Sequence, residues 1–229
     1  MTNAEKSFEN EIEMRTNNIN CLNTVMRFCM KNGARLVHLS STSVYGKQAA
    51  LVDEKCEKKY LKPQSPYAKI KIEEEDILKK KSKLIKYNTF RFGTIVGISS
   101  GMRFHTAVNS FCLSAALHEK IKIYKTALNQ YRPYLSLNDA FKVFRFCIEE
   151  NFFENDIYNV VSNNFTVKQI IKKIKQYKKN ASTIFVNSSI MNQLSYHVDK
   201  KKLKNKGLFL NSNLNRDIAN TLNLFKNIK

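Results

Sequence analysis

Two apolar runs, ARLVHLS at 34–40 and NTFRFGTIVG at 88–97, flank a Ser65-Pro66 helix start. This strand–helix–strand order constrains the fold more than any other feature of the chain. The first run reads as a buried strand, and the second is rich in the β-branched and aromatic residues that strands favour. Ser65 suits an N-cap and Pro66 the first helical position, which predicts a helix over 66–82. A helix over 6–32 precedes the pair: Ile19, Leu22, Val25, Met26 and Cys29 recur at helical spacing, and Gly33 follows as a stop. Downstream, strands are expected at 121–125, 156–162 and 182–187, with helices near 104–118, 138–150, 166–179 and 213–227. Strands that alternate with helices imply an α/β fold whose parallel sheet is covered on both faces.

With 229 residues, 43% of them hydrophobic, the chain can bury a core as one domain or as two interleaved ones. No internal repeat and no Pro- or Gly-rich linker divides it. The formal net charge of +20 attracts phosphates, nucleic acid or anionic surfaces. Its densest runs, KKKSK at 79–83 and DKKKLKNK at 199–206, fall on solvated helix faces without interleaved aromatics, which argues against nucleic acid as a partner. The five cysteines (21, 29, 56, 112 and 147) form no CxxC pair, and no histidine lies at zinc-ligand spacing, so no metal site is expected. Reduced thiols, no apolar run of 18 residues and no hydrophobic leader point to a cytoplasmic protein off the membrane.

Tyr67 and Lys71 stand four apart, and on a helix they share one face. An ammonium beside a phenol stabilises the phenolate and draws its pKa toward the working range of a base. The spacing alone is weak evidence, because Tyr196 and Lys200 repeat it and a charged surface helix also explains it. Context favours the first pair. The hydroxyl-rich SSTSVYG follows the first strand, at the end where open α/β sheets place ligands. No such strand end precedes Tyr196, which reads as a chance match. His38, His105, His118 and His197 have no partner in sequence and read as structural. GTIVGISSG carries three glycines at the wrong spacing for a dinucleotide loop.

LVHLSSTSVYG, then SPYAKIK about 26 residues on, then RFGTIVG resemble the extended short-chain dehydrogenases/reductases, the NAD-dependent nucleotide-sugar epimerases and dehydratases. NNINCLNTV at 17–25, GMRFHTAVNSF at 101–111, YRPYLSLNDA at 131–140 and DIYNVVSNNFTVKQI at 156–170 extend the likeness over nearly the whole chain. The resemblance implies the C-terminal portion of a Rossmann-type parallel sheet with a small interleaved α+β substrate-binding domain. It assigns 1–98 and 135–162 to the cofactor domain, and 99–134 and 163–229 to the substrate domain. It makes Tyr67 the general acid/base, with Lys71 tuning it and holding the nicotinamide ribose, Ser41 the catalytic hydroxyl and Asn18 the active-site asparagine. Ser40, Tyr67, Lys71, Phe92 and Gly93 would meet the cofactor, NAD or NADP. Ser41, Thr94, Asn109 and Arg132 would meet a nucleotide-diphosphate sugar. A homodimer is implied for the complete enzyme. The family's 4,6-dehydratases carry an acidic pair just after the catalytic hydroxyl; Thr42 and Ser43 stand there, which favours epimerase or simple oxidoreductase chemistry.

In that family the chain opens with a strand and a Gly-rich turn that cradles the cofactor pyrophosphate. Here the first glycine is Gly33, and the resemblance starts in the family's middle. About 80 residues of βα structure are expected to be missing, with impaired cofactor binding. A truncated enzyme is therefore the leading expectation. The alternatives are a catalytically silent remnant, half of a split enzyme that binds a sugar nucleotide or a protein partner, and a basic nucleic-acid-binding protein.

Overall fold

The computed structural model describes residues 1–2, 4, 6–48, 51–187 and 196–226. A short 3-10 turn, Lys6–Phe8, precedes helix α1, Glu11–Asn32. Met14, Asn18, Leu22, Met26 and Cys29 form the buried stripe of α1, and Gly33 ends it at φ 63° with its N–H on the Cys29 carbonyl. Only glycine takes that left-handed conformation without strain. Strand β1 is Leu36–Ser41, followed by a 3-10 turn at Thr42–Tyr45 and strand β2, Leu51–Val52. Helix α2 is Pro66–Lys80; the Ser65 hydroxyl accepts from the Ala68 N–H at 3.2 Å and caps it. Strands β3, Tyr87–Phe92, and β4, Thr94–Val96, come next, then helix α3, Ala107–Ala116, and β5, Ile121–Tyr124. The rest is β6 (Tyr131–Ser136), α4 (Leu137–Glu149), β7 (Asp156–Val160), β8 (Asn163–Thr166), α5 (Val167–Tyr177), β9 (Thr183–Val186), β10 (His197–Val198), α6 (Lys201–Asn205) and α7 (Leu214–Leu224).

The sheet that positions the site has the order β1-β3-β7, all parallel, with Leu39 beside Phe90 and Phe90 beside Tyr158. All six residues of β3 are buried because strands flank it on both sides and helices cover both faces. Successive side chains point to opposite faces. Tyr87 packs with Leu22, Met26 and Leu78 of α1 and α2, whereas Phe90 and Phe92 pack with Val143 and Cys147 of α4. Among the described residues, β1 is an edge of this sheet. A second sheet pairs β4 with β6 in parallel and β6 with β8 antiparallel. Helices α3, α5 and α7 enclose the largest apolar cluster beside β5, around Phe111, Ile121, Ile170, Ile174 and Ile218. The expected α/β class with a parallel sheet holds.

The expected strand over 88–97 is divided at Gly93, which carries the chain from the first sheet to the second. Its N–H donates to the Val160 carbonyl at 3.0 Å. A Cβ there would lie 2.9 Å from the Pro133 oxygen and 3.1 Å from its carbonyl carbon. Backbone atoms cannot give way as a flexible side chain can. Gly93→Ala is therefore expected to cost about 1–3 kcal/mol, read as a lower urea midpoint at unchanged slope. Strand β6 escapes sequence reading because Pro133 interrupts it. Proline removes a ladder donor and ordinarily demotes a strand, yet here Pro133 faces Asn164 in the antiparallel register. The two-residue strands β2 and β10 are too short to show any period. The final helix ends at Leu224; residue 227, its expected last, lies outside the described residues.

Candidate active site

The cap at Ser65 and Pro66 sets the phase of α2, so Tyr67 and Lys71 lie one turn apart at the helix start, with the Lys71 ammonium 5.8 Å from the centre of the Tyr67 ring. The ammonium is committed elsewhere. Lys71 Nζ donates to Glu74 Oε2 at 2.7 Å, one further turn along the same face. His38 Nε2 meets that same oxygen at 2.8 Å, and His38 Nδ1 lies 3.1 Å from Thr89 Oγ1. Lys71, Glu74 and His38 are all buried. Burial opposes the Glu74 carboxylate, but the His38 hydrogen bond and the Lys71 charge outweigh it and hold its pKa below the ordinary range. Burial pushes the Tyr67 phenol up to about 12, the Glu74 charge adds to the rise, and the Arg103 charge opposes it. The cation that acts on the phenol is thus Arg103. Among the described residues none hydrogen-bonds the Tyr67 hydroxyl.

Ser41 ends β1 and is half-buried; its hydroxyl accepts from the Ser43 N–H at 3.2 Å and from the Ser43 hydroxyl at 2.9 Å. Ser40 points the other way. Its hydroxyl donates to Glu75 Oε1 at 2.6 Å inside the interface between β1 and α2. Thr42 donates to the Phe92 carbonyl at 3.3 Å and lies 3.5 Å from the Tyr196 hydroxyl. Phe92 stands beside Ser41 in the parallel register, and Gly93 follows it at the C-terminal end of the sheet. This is the end at which α2 begins, so Ser41, Tyr67, Lys71, Phe92 and Gly93 belong to one edge of the fold.

The other expected residues come from further elements. Asn18 is buried on α1; its amide oxygen accepts from the Met1 amino group at 2.6 Å, and its amide nitrogen donates to the Met1 carbonyl at 2.9 Å. Ser7 Oγ accepts from the Tyr67 N–H at 3.3 Å, and Arg103 bonds the Thr2 hydroxyl. The first residues of the chain therefore lie against Asn18, Arg103 and the start of α2. Asn109, buried on α3, donates to the Arg103 carbonyl at 3.1 Å, and its buried Oδ1 has no partner among the described residues. Thr94 and Arg132 lie on the second sheet, where Thr94 faces Tyr134 and Arg132 faces Phe165. Burial lowers the Arg132 pKa, and Nη2 reaches Gln130 Oε1 at 3.2 Å.

Glu74 and Arg103 were not singled out by sequence, and His38 read as structural. The available signal was a carboxylate at the third position after Lys71 and the inward phase that His38 shares with Ser40 in β1. Tyr196 and Lys200 do not form a pair. Tyr196 is buried against Val44 and Tyr45, and Lys200 Nζ bonds the carbonyls of Ser162 and, at 3.0 Å, Leu210. Among the described residues no His, Cys, Asp or Glu cluster suits a metal, and no helix is long and apolar enough to cross a membrane. All five cysteines are free thiols.

For a dinucleotide, Phe92 and Gly93 stand beside Ser41 at the C-terminal end of the sheet, but the room left by the missing Gly93 side chain is taken by the Pro133 and Tyr134 backbone of β6. No closely spaced glycine pair opens a helix among the described residues, so they supply no cradle for a pyrophosphate.

The family model for the NAD dependent epimerase/dehydratase family matches residues 2–160. A search of the curated proteins gave no match. The UDP-N-acetylglucosamine 4-epimerase of Methanobrevibacter ruminantium, solved with UDP-N-acetylmuramic acid, superposes with a TM-score of 0.85 at 17% identity, over 98% of this chain and 74% of that one. The UDP-glucose 4-epimerase of Thermus thermophilus, solved with NAD, gives 0.83 at 18%, over 100% and 76%. The dTDP-glucose 4,6-dehydratase of Streptomyces venezuelae, also with NAD, gives 0.86 at 16%, over 100% and 71%. At these identities the likeness establishes the fold.

Proposed function

The chain belongs to the NAD-dependent epimerase/dehydratase family, and from that premise we propose that it carries the proton-transfer and sugar-nucleotide residues of a nucleotide-sugar epimerase. The observation that carries this reading is the placement of Tyr67 and Lys71 on the first turns of α2, at the sheet edge where Ser41 ends β1. Tyr67 Oη takes the proton of a sugar hydroxyl and returns it after the carbon has inverted. Ser41 Oγ holds that hydroxyl in line. NAD, when bound, supplies the redox couple at the sugar carbon. Phe92, Gly93 and Ser40 would meet its nicotinamide end, the two remaining N–H donors of Lys71 would hold its ribose, and Asn18 would meet the same end from α1. Without a pyrophosphate cradle among the described residues, this chain by itself holds the cofactor weakly.

Thr94, Asn109 and Arg132 take the nucleotide diphosphate. A guanidinium grips phosphate oxygens through two parallel bonds. The unpartnered Asn109 Oδ1 supports a ligand that brings its own donor. Thr42 and Ser43, which follow Ser41, are hydroxyls and cannot serve as the acid and base that expel water from a sugar. A homodimer follows from the resemblance alone, and a cytoplasmic location agrees with five free thiols.

The test incubates the chain with NAD and UDP- or dTDP-hexoses and follows the anomeric proton signals. Appearance of the epimeric sugar is expected. A 4-keto-6-deoxy sugar in its place overturns the epimerase assignment. A second reading, a silent sugar-nucleotide binder, is favoured by the Glu74 carboxylate that offsets Lys71 and by a phenol held near 12. It predicts saturable binding of the nucleotide sugar with neither product.

A further inference from the structure

We propose that Glu74 is a positioning residue that fixes the Lys71 ammonium and, by cancelling its charge, governs how readily the Tyr67 hydroxyl ionises. His38, itself anchored on Thr89, holds the carboxylate from the sheet side. The proposal deepens the reading of Tyr67 as the base and rests on it.

Four carboxylates stand in a row on α2, Glu73 to Asp76, and their surroundings separate them; Asp76 pairs with the exposed Lys58. Glu73 reaches outward to Arg15 on α1. Glu75 is spent on Arg91 and Ser40. Only Glu74 points along the face that carries Tyr67 and Lys71. One of its oxygens, Oε2, receives both Lys71 Nζ at 2.7 Å and His38 Nε2 at 2.8 Å. A solvent-exposed pair of this spacing would do little. Here the carboxylate is 3% exposed and His38 6%, so water does not screen the pair and its geometry is held. The imidazole in turn is anchored through Nδ1 to Thr89 of β3. The carboxylate is thus held to β1 through His38, and His38 to β3 through Thr89.

The charges that face this group can be named element by element. Helix α2 contributes Lys71 and Tyr67, β1 contributes His38, and β3 contributes the neutral Thr89. Arg103, on the segment before α3, acts on Tyr67 from the other side. For Tyr67, the Glu74 charge opposes the phenolate, while that carboxylate binds the ammonium of Lys71. Replacing the carboxylate by an amide keeps the shape and an acceptor for Lys71 but exposes the phenol to an uncancelled ammonium. A nearby positive charge favours phenolate, so the midpoint of Tyr67 ionisation must fall.

The experiment uses the full chain with tyrosines carbon-13-labelled at Cζ. The Tyr67 signal is the one lost in Tyr67→Phe, and it is followed from pH ~9 to about 13, so that the midpoint is bracketed. In Glu74→Gln the midpoint is expected to drop by about one pH unit, which is about tenfold more phenolate at a given pH. Lys71→Met is expected to raise the midpoint, and the double variant Glu74→Gln/Lys71→Met to return it close to the wild type. An unchanged midpoint in Glu74→Gln overturns the proposal. If Glu74→Gln does not fold, an unchanged midpoint in Lys71→Met overturns it in its place. The readout involves no turnover, so a shift as expected in a chain that converts no sugar supports this coupling while the epimerase reading fails on its own.

Discussion

Tyr67→Phe is expected to lower the conversion of a nucleotide sugar by about 10²–10⁴-fold without a measurable loss of fold. The two parts of that expectation have separate grounds. Tyr67 Oη is the group that would exchange a proton with the sugar hydroxyl, and phenylalanine offers no replacement. No hydrogen bond from the described residues reaches that hydroxyl, so its removal strands no partner. Because the phenol sits up to about 12, only a small fraction is phenolate near neutrality. Turnover should then rise about tenfold per pH unit across the neutral and mildly alkaline range. The same shift has a consequence for stability. A folded-state pKa above the ordinary value of about 10 means the unfolded chain gives up this proton first. The stabilisation is therefore complete below pH ~10 and is lost as pH rises toward 12. Tyr67→Phe should retain more of its stability than the wild type across that alkaline window. Turnover that survives the substitution, at any pH, would remove Tyr67 as the base.

What sequence could reveal here depended on how far apart the interacting residues lie. Ser65 and Pro66 announce α2 because a cap and a first-turn proline act within four residues, and the structure places the helix start there. The burial of β3 is visible because a central strand needs apolar or paired side chains at every position. By contrast, nothing in EEE at 73–75 distinguishes the outward Glu73 from the inward Glu74 and Glu75. Their partners are Arg15, His38 and Arg91, which lie 58, 36 and 16 residues away. Only the sheet brings those partners to one helix. The same holds for Arg103, which meets the site through tertiary packing, and for β6, whose Pro133 conceals a strand that the neighbouring backbone nevertheless completes. Local signals therefore located the elements of the candidate site, while the electrostatics that decide how Tyr67 behaves are long-range and needed the fold.

Arg91→Leu is expected to cost about 3–5 kcal/mol of stability, the largest effect of any single substitution considered. Arg91 Nε reaches Glu75 Oε1 at 3.0 Å and Nη2 reaches Oε2 at 2.6 Å, with both side chains nearly inaccessible to water. Ser40 donates to the same carboxylate, and the guanidinium lies 4.9 Å from the centre of the Tyr45 ring. The pair thus joins α2, β1, β3 and the turn that follows Ser41. Removing Arg91 leaves Glu75 charged in a site with one hydroxyl for support, and a stranded buried charge is far more costly than the loss of the pair itself. Thermal or urea unfolding reads the cost directly. The double variant Arg91→Leu/Glu75→Met, which removes both charges and keeps apolar volume, should recover more than half of it. Recovery would place the cost in the isolated carboxylate. Failure to recover would place it in the packing of the guanidinium on Tyr45, and the ion pair would then be a means of holding the Ser41 turn in position rather than a source of stability. Either way Glu75 acts through the sheet, whereas its neighbour Glu74 acts on Lys71, so two adjacent acids on one helix divide the tasks of holding the site and setting its charge.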